Sequence, residues 1–327
     1  MSVCSEKIKI AAIVGPTGGG KTALSIALAE RFGGEIISCD SMQIYRRMDI
    51  GTAKPTEEEK RGIPHHMIDV VDPTDPFSCS DYAEMATECA KDIASRGKLP
   101  IFCGGTGLYL DSVIRGVRDD LATSDETFRE EMLCFAEKNG ADALHARLRE
   151  IDPEAAEATH PNNIRRVVRA LEVFHMTGKT KTELDYESRQ KSSLFDPLVL
   201  CINYENRDVL YDRIDRRVDE MIEAGLPSEV RALYDEGLLT SASTAGQAIG
   251  YKEFYQYLSG ELSLDEAVSN LKTATKHYAK RQMTWFLHKD YIRLLPVCYE
   301  SGEMKTFEEI VNNASEAFRN FGFCDII

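Results

Sequence analysis

Short apolar runs separated by longer helix-forming stretches set the rhythm of the first hundred residues. Residues 7–14 (KIKIAAIV) form one such run, stopped by Gly15-Pro16 and followed after Lys21 by good helix formers. That order reads as a strand, a glycine-rich turn and a helix. Similar runs at 35–39, 67–71, 100–103 and 198–202 predict four more strands, and residues 81–95 carry a helical pattern. Near-continuous apolar strands alternating with helices predict an α/β fold, a parallel sheet core flanked by helices on both faces.

Between 118 and 196 the pattern changes to charged, helical sequence without a convincing strand, and the fifth apolar run comes only afterwards. The expected organisation is therefore a core begun by residues 1–117, an inserted all-helical domain over 118–196, and completion of the core by 197–327. The last part holds the final strand and helices near 207–236, 247–259 and 264–288. Ser263 and Glu266 form a capping box at the start of the last helix.

With 327 residues, 43% of them hydrophobic, the chain can bury a full core. No apolar stretch is long enough to span a bilayer, and residues 1–10 lack the apolar centre of a secretion signal, so a cytoplasmic protein without membrane contact is expected. Nine scattered cysteines suit reduced thiols rather than a disulfide framework, and the neighbouring His65 and His66 would point to opposite faces of an extended segment, unlike a metal pair. The formal charge of −15 opposes a nucleic-acid partner. Any such site must be a local basic cluster on an acidic background.

Gly15, Pro16, Thr17, Gly18, Gly19, Gly20, Lys21 and Thr22 match the P-loop pattern and lie between a strand and a helix, as that motif requires. The glycines let backbone amides approach phosphate oxygens, Lys21 adds a mobile positive charge, and the Thr22 hydroxyl can ligate Mg²⁺. By itself the motif reports a polyphosphate or diphosphate ligand and leaves the reaction open. Neither a strand ending in the paired acids of a hydrolase nor a guanine-reading Asn-Lys-x-Asp is present, so sustained ATP or GTP turnover is not expected. The second strand ends at Asp40, at the sheet edge where ligands of open α/β sheets bind.

At this point the sequence resembles the tRNA dimethylallyltransferase (tRNA isopentenyltransferase) family of the bacterial type. The matching blocks are 15–22 (GPTGGGKT), 40–45 (DSMQIY), 49–55 (DIGTAKP), 104–109 (GGTGLY), 165–173 (RRVVRALEV), 213–221 (RIDRRVDEM), 250–253 (GYKE) and 278–286 (YAKRQMTWF). They keep the family's order over almost the whole chain. A monomer is expected, and the resemblance implies a prenyltransferase whose P-loop, Thr17 to Thr22, grips dimethylallyl diphosphate together with Mg²⁺. It implies Asp40 as general base, Arg217 as a clamp on the diphosphate with Arg213 as companion, and Thr106 against the target nucleotide. It further implies contacts to a tRNA anticodon stem-loop from Asp40, Ser41, Met42 and Gln43, from Arg129, Arg165, Arg166 and Arg169, from Gln247, Gly250 and Lys252, and from Lys280, Arg281, Gln282 and Trp285. Leu287 stands where the family often carries arginine, and the family's proline-rich run is replaced by residues 119–122, which shifts the match at Arg129 by one position.

The residues themselves supply two basic stripes. Lys272, Lys276 and Lys280 recur every four positions and share a helix face, with Leu271, Ala274, Tyr278 and Trp285 suited to an apolar face. Arg165 and Arg169 repeat the spacing. Such stripes are commonly solvated faces, and the resemblance turns them toward RNA. The rival readings are a small-molecule or nucleoside kinase, an adenylate isopentenyltransferase acting on free nucleotide, and a non-catalytic RNA-binding module. An ATP-consumption assay separates out the first. The helical insertion disfavours the second, and intact Lys21, Thr22 and Asp40 oppose the third.

Overall fold

The computed structural model describes residues 7–115, 125–190, 193–241, 243–299 and 301–326. Its secondary structure begins with β1 (Ile8–Val14), α1 (Lys21–Phe32), β2 (Gly34–Ser38), the single turn α2 (Glu57–Lys60), β3 (His65–His66), α3 (Cys79–Ser95), β4 (Leu99–Gly104) and α4 (Gly107–Arg115). A helical stretch follows: α5 (Glu126–Asn139), α6 (Ala141–Ile151), α7 (Pro153–Glu157), α8 (Ile164–Thr177) and α9 (Lys181–Gln190). The chain then returns through β5 (Phe195–Asn203), α10 (Arg207–Glu223), α11 (Leu226–Asp235), α12 (Tyr255–Leu258), α13 (Leu264–Leu287), β6 (Ile292–Pro296) and α14 (Phe307–Phe321).

All six strands pair in parallel in the order β3-β2-β4-β1-β5-β6. In β1 the five residues Ile10 to Val14 are all buried, which is why its sequence is a continuous apolar run rather than an alternating one. The core beside it takes Leu24, Leu28 and Phe32 from one face of α1, at four-residue spacing, and Ile214, Ala314 and Phe318 from α10 and α14. A separate core of Ile44, Tyr45, Val218, Leu226, Tyr251, Phe254 and Leu271 lies under α11 to α13.

The chain divides into two compact units, one of Met1–Phe77, Glu84–Asp111 and Leu194–Ile327, the other of Ser78–Ala83 and Ser112–Ser193. Residues 118–124 and 191–192 of the expected insertion, with the 119–122 departure, lie outside the described residues. The second unit has its own core, including Leu144, Leu148, Val167, Val168 and Leu171. Within this unit the fully buried Glu172 accepts hydrogen bonds from Arg129 Nε at 2.9 Å, Arg169 at 2.8 Å and the Asp125 amide at 2.9 Å. Both arginines therefore neutralise a carboxylate that would be costly to bury alone.

Four local expectations are corrected. The run at 67–71 is not a strand: Met67 and Asp69 adopt positive φ, which breaks the extended path, so β3 is only His65–His66. A sixth strand, Ile292–Pro296, lies beyond the one expected to be last. The helix expected over 207–236 is two helices, because Gly225 takes a left-handed conformation between them, and 247–259 is largely two 3₁₀ turns with α12. By contrast, Ser263 and Glu266 make the capping box that starts α13.

Glu35 on β2 is buried, bonded by Arg96 and, at 2.9 Å, by His66. The Arg96 bond outweighs burial and holds its carboxyl at about 2, below an ordinary 4.5. A depressed carboxyl stabilises the fold above its unfolded value and loses that contribution as pH falls toward the folded one. The stability gap between the wild type and Glu35→Gln, read by urea unfolding, should approach ~3 kcal/mol above pH 5 and close between pH 4.5 and 2. A gap that does not vary with pH would show that the pair contributes no charge-dependent stability.

Candidate active site

Three loops leave the carboxyl ends of β1, β2 and β4 and meet over the sheet edge. After β1 the chain turns at Gly15, whose φ of 136° and whose missing side chain are both required, since a Cβ would lie 2.9 Å from the Ile202 carbonyl oxygen. The loop delivers α1 with Gly20 at its N-cap and no side-chain cap, so the first amides of the helix keep their hydrogen-bonding capacity for a ligand. Lys21 Nζ donates to the Pro16 carbonyl at 2.8 Å. Burial lowers the Lys21 pKa, opposed by the electrostatic pull of Asp40.

After β2, Asp40 Oδ1 accepts the amides of Met42 at 2.9 Å and Gln43 at 3.4 Å, an Asx turn that fixes the side chain. Among the described residues its Oδ2 takes no hydrogen bond. The Ser41 amide donates to Thr106 Oγ1 at 3.0 Å, and the Thr106 amide to the Cys39 carbonyl at 3.1 Å. These bonds stitch the β2 loop to the β4 loop. A Cβ on Gly104 would sit 2.0 Å from that same Cys39 oxygen, so the crossing depends on glycine.

Gln282, expected to lie in a tRNA-touching segment, is buried. Its Oε1 accepts the Thr17 amide at 2.8 Å and its Nε2 donates to the Gly105 carbonyl at 3.0 Å, tying the phosphate cradle to the β4 loop. Gly105 leaves room for this amide and Gly107 leaves room for the Trp285 ring, where a Cβ would meet side-chain atoms at 1.9 and 2.2 Å. On α13 the buried positions are Ala267, Leu271, Ala279, Gln282 and Phe286, so the apolar face is rotated from the expected one and keeps only Leu271.

The loops enclose a cavity of about 740 Å³, within the usual range for small-ligand sites. Thr17 to Thr22, Asp40, Gln43, Arg213, Arg217 and Tyr278 all line it. Lys21, Lys54, Arg61, Arg213, Arg216 and Arg217 outnumber Asp40, Asp49, Glu59 and Glu220, six cations to four anions, on a chain of charge −15. The cavity is thus a local exception to the acidic background. Arg213 Nε donates to the Gly18 carbonyl at 3.0 Å. Burial pulls the Arg217 pKa down against the attraction of Asp40, and a guanidinium stays charged regardless.

One wall escaped sequence reasoning. Glu229 on α11 accepts the amides of Asp49, Ile50 and Gly51 at 2.8–3.1 Å and the Tyr251 hydroxyl at 2.7 Å. The buried Lys54 side chain bonds the Tyr45 carbonyl, Asp49 and Asp69. This wall belongs to a stretch holding five non-glycine residues of positive φ, Arg47, Ala53, Arg61, Met67 and Asp69. No local signal links an acid to amides some 180 positions earlier. Two other expected residues are placed apart from the cavity lining: Gln247 Nε2 donates to the Ser241 carbonyl, and the Gly250 amide to Glu253. Lys252, Lys280, Arg165 and Arg166 are exposed, and Arg281 lies over the Tyr278 ring at 5.6 Å.

Fold and cavity together define a P-loop enzyme that can seat a diphosphate beside a fixed carboxylate. The family model described as IPP transferase matches residues 43–289, and that described as isopentenyl transferase matches 8–70. A tRNA dimethylallyltransferase of Caldanaerobacter subterraneus subsp. tengcongensis is 48% identical over 310 residues, 94% of this chain and 97% of that protein. The full-length tRNA isopentenylpyrophosphate transferase of Bacillus halodurans superposes with a TM-score of 0.68 at 44% identity, covering 96% of this chain and 98% of that one. A eukaryotic dimethylallyltransferase acting on tRNA superposes with a TM-score of 0.79 at 34% identity, covering 95% and 78%. The chain belongs to the tRNA dimethylallyltransferase family of prenyltransferases.

Replacing Gln282 by leucine leaves the Thr17 amide and the Gly105 carbonyl without their partner. Each such group costs about 1–3 kcal/mol when buried. Urea unfolding should show Gln282→Leu destabilised by at least ~2 kcal/mol, and Gln282→Glu destabilised as well, because a carboxylate keeps the acceptor for Thr17 but sets a buried negative charge against the Gly105 carbonyl. Equal stability of all three proteins would remove the bridge from the account.

Proposed function

We propose that the enzyme transfers the dimethylallyl group of dimethylallyl diphosphate to the exocyclic N6 amine of the adenosine immediately 3′ of the anticodon, position 37, of a cytoplasmic tRNA, releasing diphosphate. The observation that carries this reading is the Asp40 carboxylate opening into the same cavity as the P-loop cradle. A P-loop kinase can also use a carboxylate base, so the choice of prenyl over phosphoryl transfer is supported by the family match.

The donor's diphosphate occupies the amides of Gly18 and of Gly20 to Thr22, with Lys21, Arg213 and Arg217 around it; the Gly19 amide is held by the Pro16 carbonyl. The adenine amine approaches from the Asp40 side. As the new carbon–nitrogen bond forms, the carbon–oxygen bond to diphosphate breaks, and the amine proton passes to Asp40 Oδ2. Oδ1 stays fixed by the Met42 and Gln43 amides, so the base is oriented before substrate arrives. Lys21 and the two arginines take up charge on the leaving group. Thr22 supplies a hydroxyl to the cavity, a sparse protein donor set that fits Mg²⁺, which keeps water and takes its remaining ligands from phosphate oxygens. Bound there, Mg²⁺ would neutralise part of the diphosphate charge.

An anticodon loop suits this acceptor geometry because its bases are unpaired and can be turned outward at low cost. Gln43 lines the cavity, and Ser41, Met42 and Thr106, the last bonded to the Ser41 amide, are the candidates for contact with the base and its neighbours. Exposed Arg165, Arg166, Lys252, Lys280 and Arg281 are the candidates for phosphate contact. Arg129 and Arg169 would act there while still held by Glu172.

Asp40→Asn should keep donor affinity and lose roughly a hundred-fold or more in single-turnover transfer. Lys21→Ala should weaken donor binding and slow transfer together, because that ammonium meets the diphosphate before and during reaction. Labelled donor offered with tRNA or with adenosine monophosphate should prenylate only the tRNA. Efficient modification of the free nucleotide, or normal transfer by Asp40→Asn, would overturn this reading. Reversing Arg165 and Arg166 to glutamate should flatten the log–log salt dependence of tRNA binding by a little under one unit for each phosphate that no longer meets an arginine.

A further inference from the structure

Two of the three lysines on the α13 stripe are already engaged inside the protein. Lys276 Nζ donates to Asp215 Oδ2 at 2.7 Å, and Lys272 Nζ pairs with Asp219 Oδ1 at 2.6 Å. The two aspartates are one turn apart on α10 and the two lysines one turn apart on α13. The pairs are therefore successive rungs of a ladder joining these helices. Lys280, the third lysine, is exposed and makes no ion pair among the described residues.

The ladder lies opposite the chemistry. A helix turns about 100° per residue, so Asp215 and Asp219 fall on the far side of α10 from Arg213 and Arg217. Those arginines line the cavity, and Arg213 is bonded to the Gly18 carbonyl of the cradle. Ile214 and Val218, between the two sides, are buried in the cores. The rotation of α10 that seats the arginines is thus the same rotation that seats the aspartates against α13.

Asp215 gives the inner rung its weight. Its Oδ1 is buried with no hydrogen-bond partner, which leaves Lys276 as the counter-charge that compensates this carboxylate. Removing that ammonium strands a partly buried negative charge, and the helix must shift to rehydrate it. A shift of α10 displaces Arg213 and Arg217 from the diphosphate.

We propose that Asp215 and Lys276, supported by Asp219 and Lys272, are positioning residues for the diphosphate side of the reaction and that Lys276 does not serve as a tRNA phosphate contact. This rests on the reading above that the cavity takes the donor's diphosphate. Such displacement of binding groups commonly costs ten- to a hundred-fold.

The test measures three quantities: binding of inorganic diphosphate, the donor and tRNA Michaelis constants, and the salt slope of tRNA binding. Lys276→Met should weaken diphosphate binding and raise the donor Michaelis constant roughly tenfold, with the tRNA salt slope unchanged. Lys276→Arg should stay near wild type, and the double exchange Asp215→Lys with Lys276→Asp should recover most of the loss. Lys272→Met on the more exposed outer rung should show the same pattern at smaller amplitude, and it supplies the answer if the exchange does not fold by thermal melting. Unchanged diphosphate binding in both lysine-to-methionine variants would overturn the proposal. A tRNA salt slope reduced by about 0.9 in Lys276→Met would also do so, because it marks a direct phosphate contact. Failure of the assigned reaction would show separately, as absent transfer by a wild-type protein that still binds diphosphate.

Discussion

The site depends on one buried amide. Gln282 is the point at which α13, the phosphate cradle and the β4 loop are bonded to one another, and an uncharged group with one donor and one acceptor is the natural bridge between a backbone N–H and a backbone C=O. Strands can set the spacing of the three loops but not their mutual height, because loops over a sheet edge have no ladder of their own. The side-chain bridge, together with Thr106 between the β2 and β4 loops, supplies that missing constraint. Glycine at 104, 105 and 107 is the complementary half: the loops approach so closely that no Cβ could be accommodated.

This explains which parts of the site were legible in the sequence. The cradle was, because its chemistry is contiguous: glycines, a lysine and a threonine between a strand and a helix. Asp40 was, because strand ends in parallel sheets point ligand-binding residues to one edge. Gln282 was named only for contact with tRNA; its bridging role, Glu229 and the Asp215–Lys276 rung were not legible, because each joins positions far apart in the chain and their residue types suit a solvated helix face equally well. The lysine stripe was correctly placed on one face, yet a spacing rule cannot say whether the facing helix carries acids.

Errors in the fold have equally local causes. The apolar letters at 67–71 suggest a strand, but two residues of positive φ bend the backbone, and the Lys54 bond to Asp69 fixes that bend. Ile292–Pro296 was missed because it is short, half exposed and interrupted by Arg293, as an edge strand can be. The alternation of strand and helix in the first hundred residues survives these details. It arises from burial on both faces of the central strands, a requirement that many side chains satisfy together.

The bond between Lys21 and the Pro16 carbonyl has a bearing on ligand choice. An ammonium has three N–H donors, and the Pro16 carbonyl takes one of them while the others stay available to a ligand. An anionic phosphate oxygen makes the stronger, charge-assisted bond to such a donor. The resting contact therefore acts as an aiming device: it holds the ammonium at the loop before a guest arrives, so that less side-chain freedom remains to be lost on binding.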